Sequence, residues 1–317
     1  MGNDSFRGKT ALVTGGSRGL GLLIAQELGA RGCQVMICAR DSGELQEAER
    51  LLRARGVEAA STVCDIRDPD AGQNLLDAVE KRFGQLDIVV NNAGIIQVGP
   101  MEALTERDFE NAWQTMFAGP LRLISAVLPG MRERHSGTIV NIASIGGRIP
   151  VPHLLPYVAA KHALAGFSSG LRAELAADGV SVTTVVPGLM RTGSHRAARF
   201  SGQSRREYAW FATAASLPLL SGSADRAARA IVRAAEHRRP ELVFTPAAKL
   251  ACRAYGLAPA TTTRLLGVAA RLLPSATSTP EHDVPGVQNT RQQGSFLAGM
   301  TVLGERAAQR NNEPGSA

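Results

Sequence analysis

Short apolar runs alternate with amphipathic stretches over the first three quarters of the chain. Thr10–Thr14, Gln34–Ala39, Ala59–Ile66, Leu86–Val90, Gly137–Ala143, Val180–Val186 and Glu241–Thr245 are rich in Val, Ile, Leu and Ala and read as strands. Between them, Leu22–Gly32, Ser42–Arg55, Asp70–Phe83, Thr105–Arg134, Val158–Ala177 and Asp225–His237 carry helical spacing, the fourth interrupted near Gly119-Pro120 and Pro129-Gly130. Near-continuous apolar strands separated by helices predict an α/β fold, a parallel sheet covered on both faces. Ligands then collect at the carboxyl ends of the strands, near the switch in strand order.

The pattern changes beyond residue 245. From 246 to 274, Leu250, Ala254, Leu257, Leu265, Val268, Ala269 and Leu272 fall at helical spacings. Lys249, Arg253, Arg264 and Arg271 lie among them, with no Asp or Glu between Leu242 and Pro280. A basic amphipathic extension can lie on an anionic membrane as a peripheral contact or pack against protein. Residues 275–317 are rich in Pro, Gly, Ser, Thr, Asn and Gln and predict a largely disordered tail, with a short helix at Leu297–Gln309. Gly193–Gly222 lacks periodicity and carries Tyr208, Trp210 and Phe211, which reads as a mobile lid. The domain reading is therefore 1–245, 246–274 and 275–317.

Composition narrows the classes. The chain has 317 residues, 44% hydrophobic, with a net charge of +7. The arginines are dispersed, with no aromatic-interleaved basic patch, so no nucleic-acid partner is expected. Cys33, Cys38, Cys64 and Cys252 show neither disulfide nor metal spacing, which leaves a reducing, cytoplasmic setting as the default. The first residues have no signal-peptide core, and no apolar run is long enough to cross a bilayer.

Two stretches carry the chemistry. Gly15-Gly-Ser17-Arg18-Gly19-Leu20-Gly21 lies between a strand and a helix, where glycines let backbone approach a pyrophosphate and a helix N-terminus supplies N–H donors. The same pattern can also be an ordinary tight turn. The next strand ends in Ala39-Arg40 where an NAD site wants a carboxylate, and Arg18 with Arg40 could clamp a 2′-phosphate, so NADP(H) is the expected cofactor; Asp41 just beyond argues the other way. Asp65 and Ile66 stand where an adenine edge would lie, and Asn91-Asn92-Ala93-Gly94 ends a strand with small residues suited to a flat ligand.

The second stretch runs from Ser144 to Lys161. Tyr157 and Lys161 are four apart and share a helix face, and Ser144 follows a strand. An ammonium beside a phenol favours the phenolate and makes a usable acid/base, while the serine can hold an oxygen. Ile96, Leu154, Leu155 and Met190, with Ile95, Val98 and Trp210, suggest an apolar substrate; Thr192 could hold a carboxamide or cap a helix.

In motif order and spacing the chain resembles the short-chain dehydrogenase/reductase family from about Arg7 to Thr245. The matching residues are Thr14–Gly21, Asp65, Asn91–Gly94, Ser144, Tyr157-x-x-x-Lys161 and Pro187-Gly188. The resemblance implies a doubly wound Rossmann-type sheet of seven parallel strands, a nicotinamide cofactor and a homo-dimer or homo-tetramer. It implies that Tyr157 passes a proton to or from the substrate oxygen, Ser144 hydrogen-bonds that oxygen, and Lys161 binds the ribose hydroxyls and lowers the Tyr157 pKa. One position departs: Met116 stands where the family usually carries an Asn, which predicts slowed proton delivery. It also motivates an alternative, a cofactor-binding regulator or scaffold with weak or no turnover.

Overall fold

The computed structural model describes residues 6–217, 221–277, 280–291 and 295–313. Seven parallel strands form one sheet: β1 Thr10–Thr14, β2 Gln34–Ala39, β3 Ala59–Val63, β4 Ile88–Asn91, β6 Gly137–Ile142, β7 Val180–Pro187 and β11 Glu241–Phe244. Their order across the sheet is β11-β7-β6-β4-β1-β2-β3. The seven-stranded, doubly wound expectation holds. The middle strands are buried throughout, as sheets covered on both faces require.

Helices α1 Gly19–Ala30, α2 Ser42–Arg53 and α9 Ala224–Glu236 pack one face through Leu22, Ile24, Leu45, Leu52, Ile231 and Val232. Helices α3 Ala71–Phe83, α5 Gly119–Glu133 and α6 Leu155–Glu174 cover the other through Leu75, Val79, Leu123, Val127 and Leu171. α4 Glu106–Trp113 lies beside α6, with a capping box between Thr105 and Asp108 at its start. α5 runs through Pro129 without a break, whereas the interruption expected at Gly119-Pro120 is a π-turn over Gln114–Ala118.

The order in sequence reverses beside β1, whose neighbours are β2 and β4. The crevice above that switch is where the glycine turn and Asn91–Gly94 emerge.

The segment read as a lid has regular structure. It holds β8 Met190–Arg191, α7 Ser194–Ala197, β9 Arg199–Gly202, α8 Ser204–Ser216 and β10 Gly222–Ser223. β9 lies parallel to β5 Gln97–Val98 and antiparallel to β12 Glu281–Pro285, a small second sheet. Its aromatic residues, which hydrophobic spacing alone could not place, bury Phe200, Tyr208 and Phe211 against Val98 and Leu154.

Past β11, α10 Pro246–Leu257 and α11 Pro259–Ala270 form a helical hairpin. Composition predicts little order beyond 275, yet β12, α12 Gly286–Arg291 and α13 Ser295–Arg310 are found there. The local sequence is polar, but α13 presents Thr301, Gly304, Ala307 and Ala308 as a buried stripe of small residues, and α8 supplies the surface it needs. The helix expected at 297–309 lies within α13. No helix among the described residues is long and apolar enough to cross a membrane.

Candidate active site

Ser144, Tyr157 and Lys161 come together at the carboxyl end of β6. Ser144 begins a short 3₁₀ turn, and its hydroxyl accepts from the Gly146 N–H at 3.1 Å. Helix α6 starts at Leu155, three residues earlier than the sequence pattern predicts, with Pro156 in its first turn, where a missing N–H costs nothing. That start places Tyr157 and Lys161 on one helical face. Gly147 lets the helix approach: a Cβ there would come within 2.5 Å of the Lys161 carbonyl oxygen.

Lys161 is buried, and its ammonium donates to the Ile142 carbonyl at 2.6 Å while lying 5.8 Å from the Tyr157 ring centre. Burial lowers its pKa to about 8. Burial raises the Tyr157 pKa, and a hydrogen bond with Ser144 pulls the other way. The expected lowering of the phenol by Lys161 is not found: burial sets the direction, and only Ser144 opposes it. Burial disfavours phenolate and ammonium alike, so it opposes both ionisations at once.

Met116 sits in the π-turn, fully buried against Tyr157, Ala160 and Ile95. The Gly119 N–H reaches back five residues to Gln114. Pro120 has no N–H to offer the Met116 carbonyl four residues before it, so that carbonyl lacks its ordinary helical donor. The side-chain amide is replaced by packing, and the main-chain feature survives.

The glycine turn is built for close approach. A Cβ on Gly15 would meet the Ala93 backbone at 2.9 Å, and one on Gly21 would meet the Gly15 carbonyl at 2.1 Å. Thr14, whose role the sequence did not reveal, accepts from the Asn92 and Ala93 N–H groups at 3.0 and 3.1 Å, while the Asn92 amide donates to the Thr14 and Gly15 carbonyls. Asn92 thus ties the turn to β4. Helix α1 has no side-chain cap and no acid in its first turn, leaving the field of its N-terminus uncompensated from within. These features fit a nucleotide pyrophosphate.

The flanking charges are more occupied than the sequence suggests. Arg18 holds Glu44 at 2.6 Å and approaches Glu313 at 3.5 Å. Asp41, which argued for NAD, instead caps α2 by accepting from the Glu44 N–H at 2.8 Å. Arg40 is exposed at the end of β2. Asp65 is paired with Arg67 at 2.5 Å, which holds its carboxyl below the usual range. The Ile66 side chain faces Gly119 at the start of α5. Leu20 is buried, and the Ser17 hydroxyl donates to Glu44 at 3.3 Å. Pro187 ends β7, Gly188 backs onto Thr245, and the Thr192 hydroxyl accepts from the Ser194 N–H at 3.2 Å.

Of the apolar candidates, Ile96 and Leu154 join Tyr157, Val158 and Trp210 in the cluster beneath α8. Leu155 does not join them; as the first residue of α6 it turns outward and is exposed. Met190 packs instead against the core beneath α1 and α9. Glu207, fully buried on α8, meets His153 at 2.8 Å and accepts from the Trp210 indole at 2.7 Å, fastening α8 to the loop before Tyr157. Below the site, Asn91 donates to Asn141, Asn141 to Ser168, and Thr184 to Ser168, a buried polar chain across β4, β6, α6 and β7. Isolated Asn, Ser and Thr in separate elements give no sequence signal for such a chain.

A family model described as short chain dehydrogenase matches residues 9–201. A fatty acyl-CoA reductase of Acinetobacter baylyi is 32% identical over 279 residues, covering 87% of this chain and 88% of that protein. That match necessarily continues past Thr245, where the motif resemblance thins. A 3-oxoacyl-[acyl-carrier-protein] reductase of Escherichia coli is 35% identical over 61% of this chain and 78% of its own length. Among solved structures, a variant of actinorhodin polyketide ketoreductase with NADPH superposes with a TM-score of 0.65 at 33% identity, covering 74% of this chain and 95% of that one.

Proposed function

The chain belongs to the short-chain dehydrogenase family, and from that premise we propose an NADP(H)-dependent oxidoreductase that reduces a carbonyl carried on an apolar chain. One observation supports this most: a hydroxyl, a phenol and an ammonium converge from β6 and α6 beside the crevice at the strand switch. In this reading the glycine turn, the α1 N-terminus, Asn92–Gly94 and Thr192 hold the cofactor, and Arg40 meets its 2′-phosphate. NADP(H) supplies the hydride. Ser144 holds the substrate oxygen, Tyr157 gives it the proton, and Lys161 orients the ribose and stabilises the phenolate left behind.

The apolar wall of Ile96, Leu154 and Trp210 favours acyl or alkyl chains. Relatives named for fatty acyl-CoA and 3-oxoacyl reduction are consistent with this. The test is NADPH consumption against alkyl ketones, 3-oxoacyl thioesters and acyl-CoA of increasing chain length. Faster turnover on longer chains, with NADH at least tenfold less effective, is the expected result; NADPH binding without turnover on any of them would favour the regulator or scaffold.

A second reading, a peripheral membrane contact, rests on the α10–α11 hairpin. Leu257 and Leu272 are 88% and 89% exposed, Leu250, Leu265 and Val268 are also exposed, and no residue of α11 is buried. Lys249, Arg253, Arg264 and Arg271 are exposed among them, with no acid nearby in sequence. Leucines flanked by cations match an anionic bilayer surface. Full-length protein should co-sediment with phosphatidylglycerol vesicles but not with phosphatidylcholine vesicles, and substituting Leu257 and Leu272 by Asp should abolish pelleting. Equal recovery from both vesicle types, or self-association through the hairpin without pelleting, would remove the membrane reading. A homo-oligomer is supported separately by the outer face of α4 and α6, where Trp113 and Leu155 are exposed beside a groove lined by Phe109, Pro156 and Ala159.

A further inference from the structure

The end of the described chain lies on the glycine turn. The Gly19 N–H, at the start of α1, donates to the Asn311 carbonyl at 2.8 Å. The Asn312 amide donates to the Ser17 carbonyl at 3.0 Å and to the Glu44 carbonyl at 3.2 Å. Glu313 is buried against the turn, with its carboxylate 3.5 Å from Arg18 and 2.8 Å from where a Gly19 Cβ would stand. The Asn311 amide also donates to the Thr192 carbonyl at 3.1 Å, at the opposite end of the expected cofactor path. Three consecutive residues therefore take up a backbone donor, a cation and a close-approach surface that a dinucleotide would use. The Gly19 N–H can serve only one acceptor well, and a carboxylate cannot share this space with a pyrophosphate of the same sign.

The docking is a built contact. Helix α13 ends at Arg310, just before these residues, and is seated by its small-residue stripe. A Cβ on Gly304 would come within 2.5 Å of the Ser216 hydroxyl, and one on Gly193 within 2.5 Å of the Ala308 backbone. Glu305 holds His195 at 2.8 Å and the Arg196 Nε at 2.9 Å.

We propose that Asn311–Glu313 is an internal plug in the nucleotide cradle, which must leave before NADP(H) can enter, so that release of the tail controls cofactor access. This rests on the cofactor reading above. Burial pushes the Glu313 carboxyl up to about 7, with Arg18 pulling it down and Glu44 pushing it further up, so the seated plug carries a cost that departure relieves.

The test uses the full-length chain and NADPH binding measured by titration calorimetry. Substituting Asn311, Asn312 and Glu313 together by Ala should tighten the NADPH Kd about tenfold, because apparent affinity is reduced by the fraction of molecules with the cradle closed. Gly304→Leu, which unseats α13 from a different surface, should tighten it in the same direction. Unchanged Kd in both variants, with NADPH still bound, would overturn the plug and leave the cofactor reading intact. Weaker binding in both would show a strap that closes over the nucleotide, which also overturns the plug. No binding by any form would remove the cofactor reading and the plug together.

Discussion

Tyr157→Phe is expected to lower turnover by about a thousandfold while leaving NADPH affinity within about twofold, since a positioned acid contributes roughly 10²–10⁴. The substitution removes one oxygen and keeps the ring. That ring packs against Met116, Ala160 and Leu154, so the local fold has no reason to change. Ser144 loses a partner but still accepts from the Gly146 N–H. Steady-state rates and a cofactor titration on the same preparation check both halves. Retained turnover would remove Tyr157 from the chemistry; lost NADPH affinity would show that its main role is to hold the cofactor.

Lys161→Met should do two opposite things. Turnover should fall by on the order of a hundredfold, because the phenolate formed at Tyr157 loses its neighbouring cation. Stability at pH 7 should rise. In the folded chain the ammonium titrates near 8 instead of the ordinary 10.5, so between those values the unfolded chain binds more protons and folding strengthens as pH increases. Below pH 8 both forms are protonated and the full cost of burying the charge, about 3 kcal/mol, is present. Loss of the hydrogen bond to Ile142 offsets part of the gain, leaving a net of about 1–2 kcal/mol. Urea midpoints should place the variant above the parent at pH 7, with the gap narrowing towards pH 10. A gap independent of pH would mean that the buried charge is not its source.

The central sheet was legible because each of its strands is an apolar run bounded by a turn, and a helix of the right length follows nearly every one. The convergence of the candidate site residues was legible for the same reason: Ser144 and Tyr157 sit near element ends, and a strand and a helix bring them together. Arg18 and Asp65 were harder. A charged side chain in a sequence does not show whether it already has a partner, and here Glu44 and Arg67 take them up. Leu154 and Leu155 could not be told apart in the sequence, because the helix start at Leu155, which turns one inward and the other outward, lies three residues before the one the sequence pattern predicts. The tail was hidden because its seating depends on Gly, Ala and Thr at three- and four-residue spacings, which composition reads as looseness. Such residues order themselves only against a complementary surface, and α8 is distant in sequence.

The small sheet has a bearing on how the enzyme can be shortened. β9 is its middle member, with β5 on one side and β12 on the other, and Arg199 is paired to Asp283 across the outer boundary. A chain cut after Thr245 would keep Thr14–Gly21, Asn91–Gly94, Ser144, Tyr157, Lys161 and Pro187-Gly188. It would also leave one border of β9 with bare amide and carbonyl groups, an invitation to stick to a neighbouring molecule. The stretch that carries β12 therefore covers that border, and a form cut after Thr245 is expected to clump where the longer chain does not.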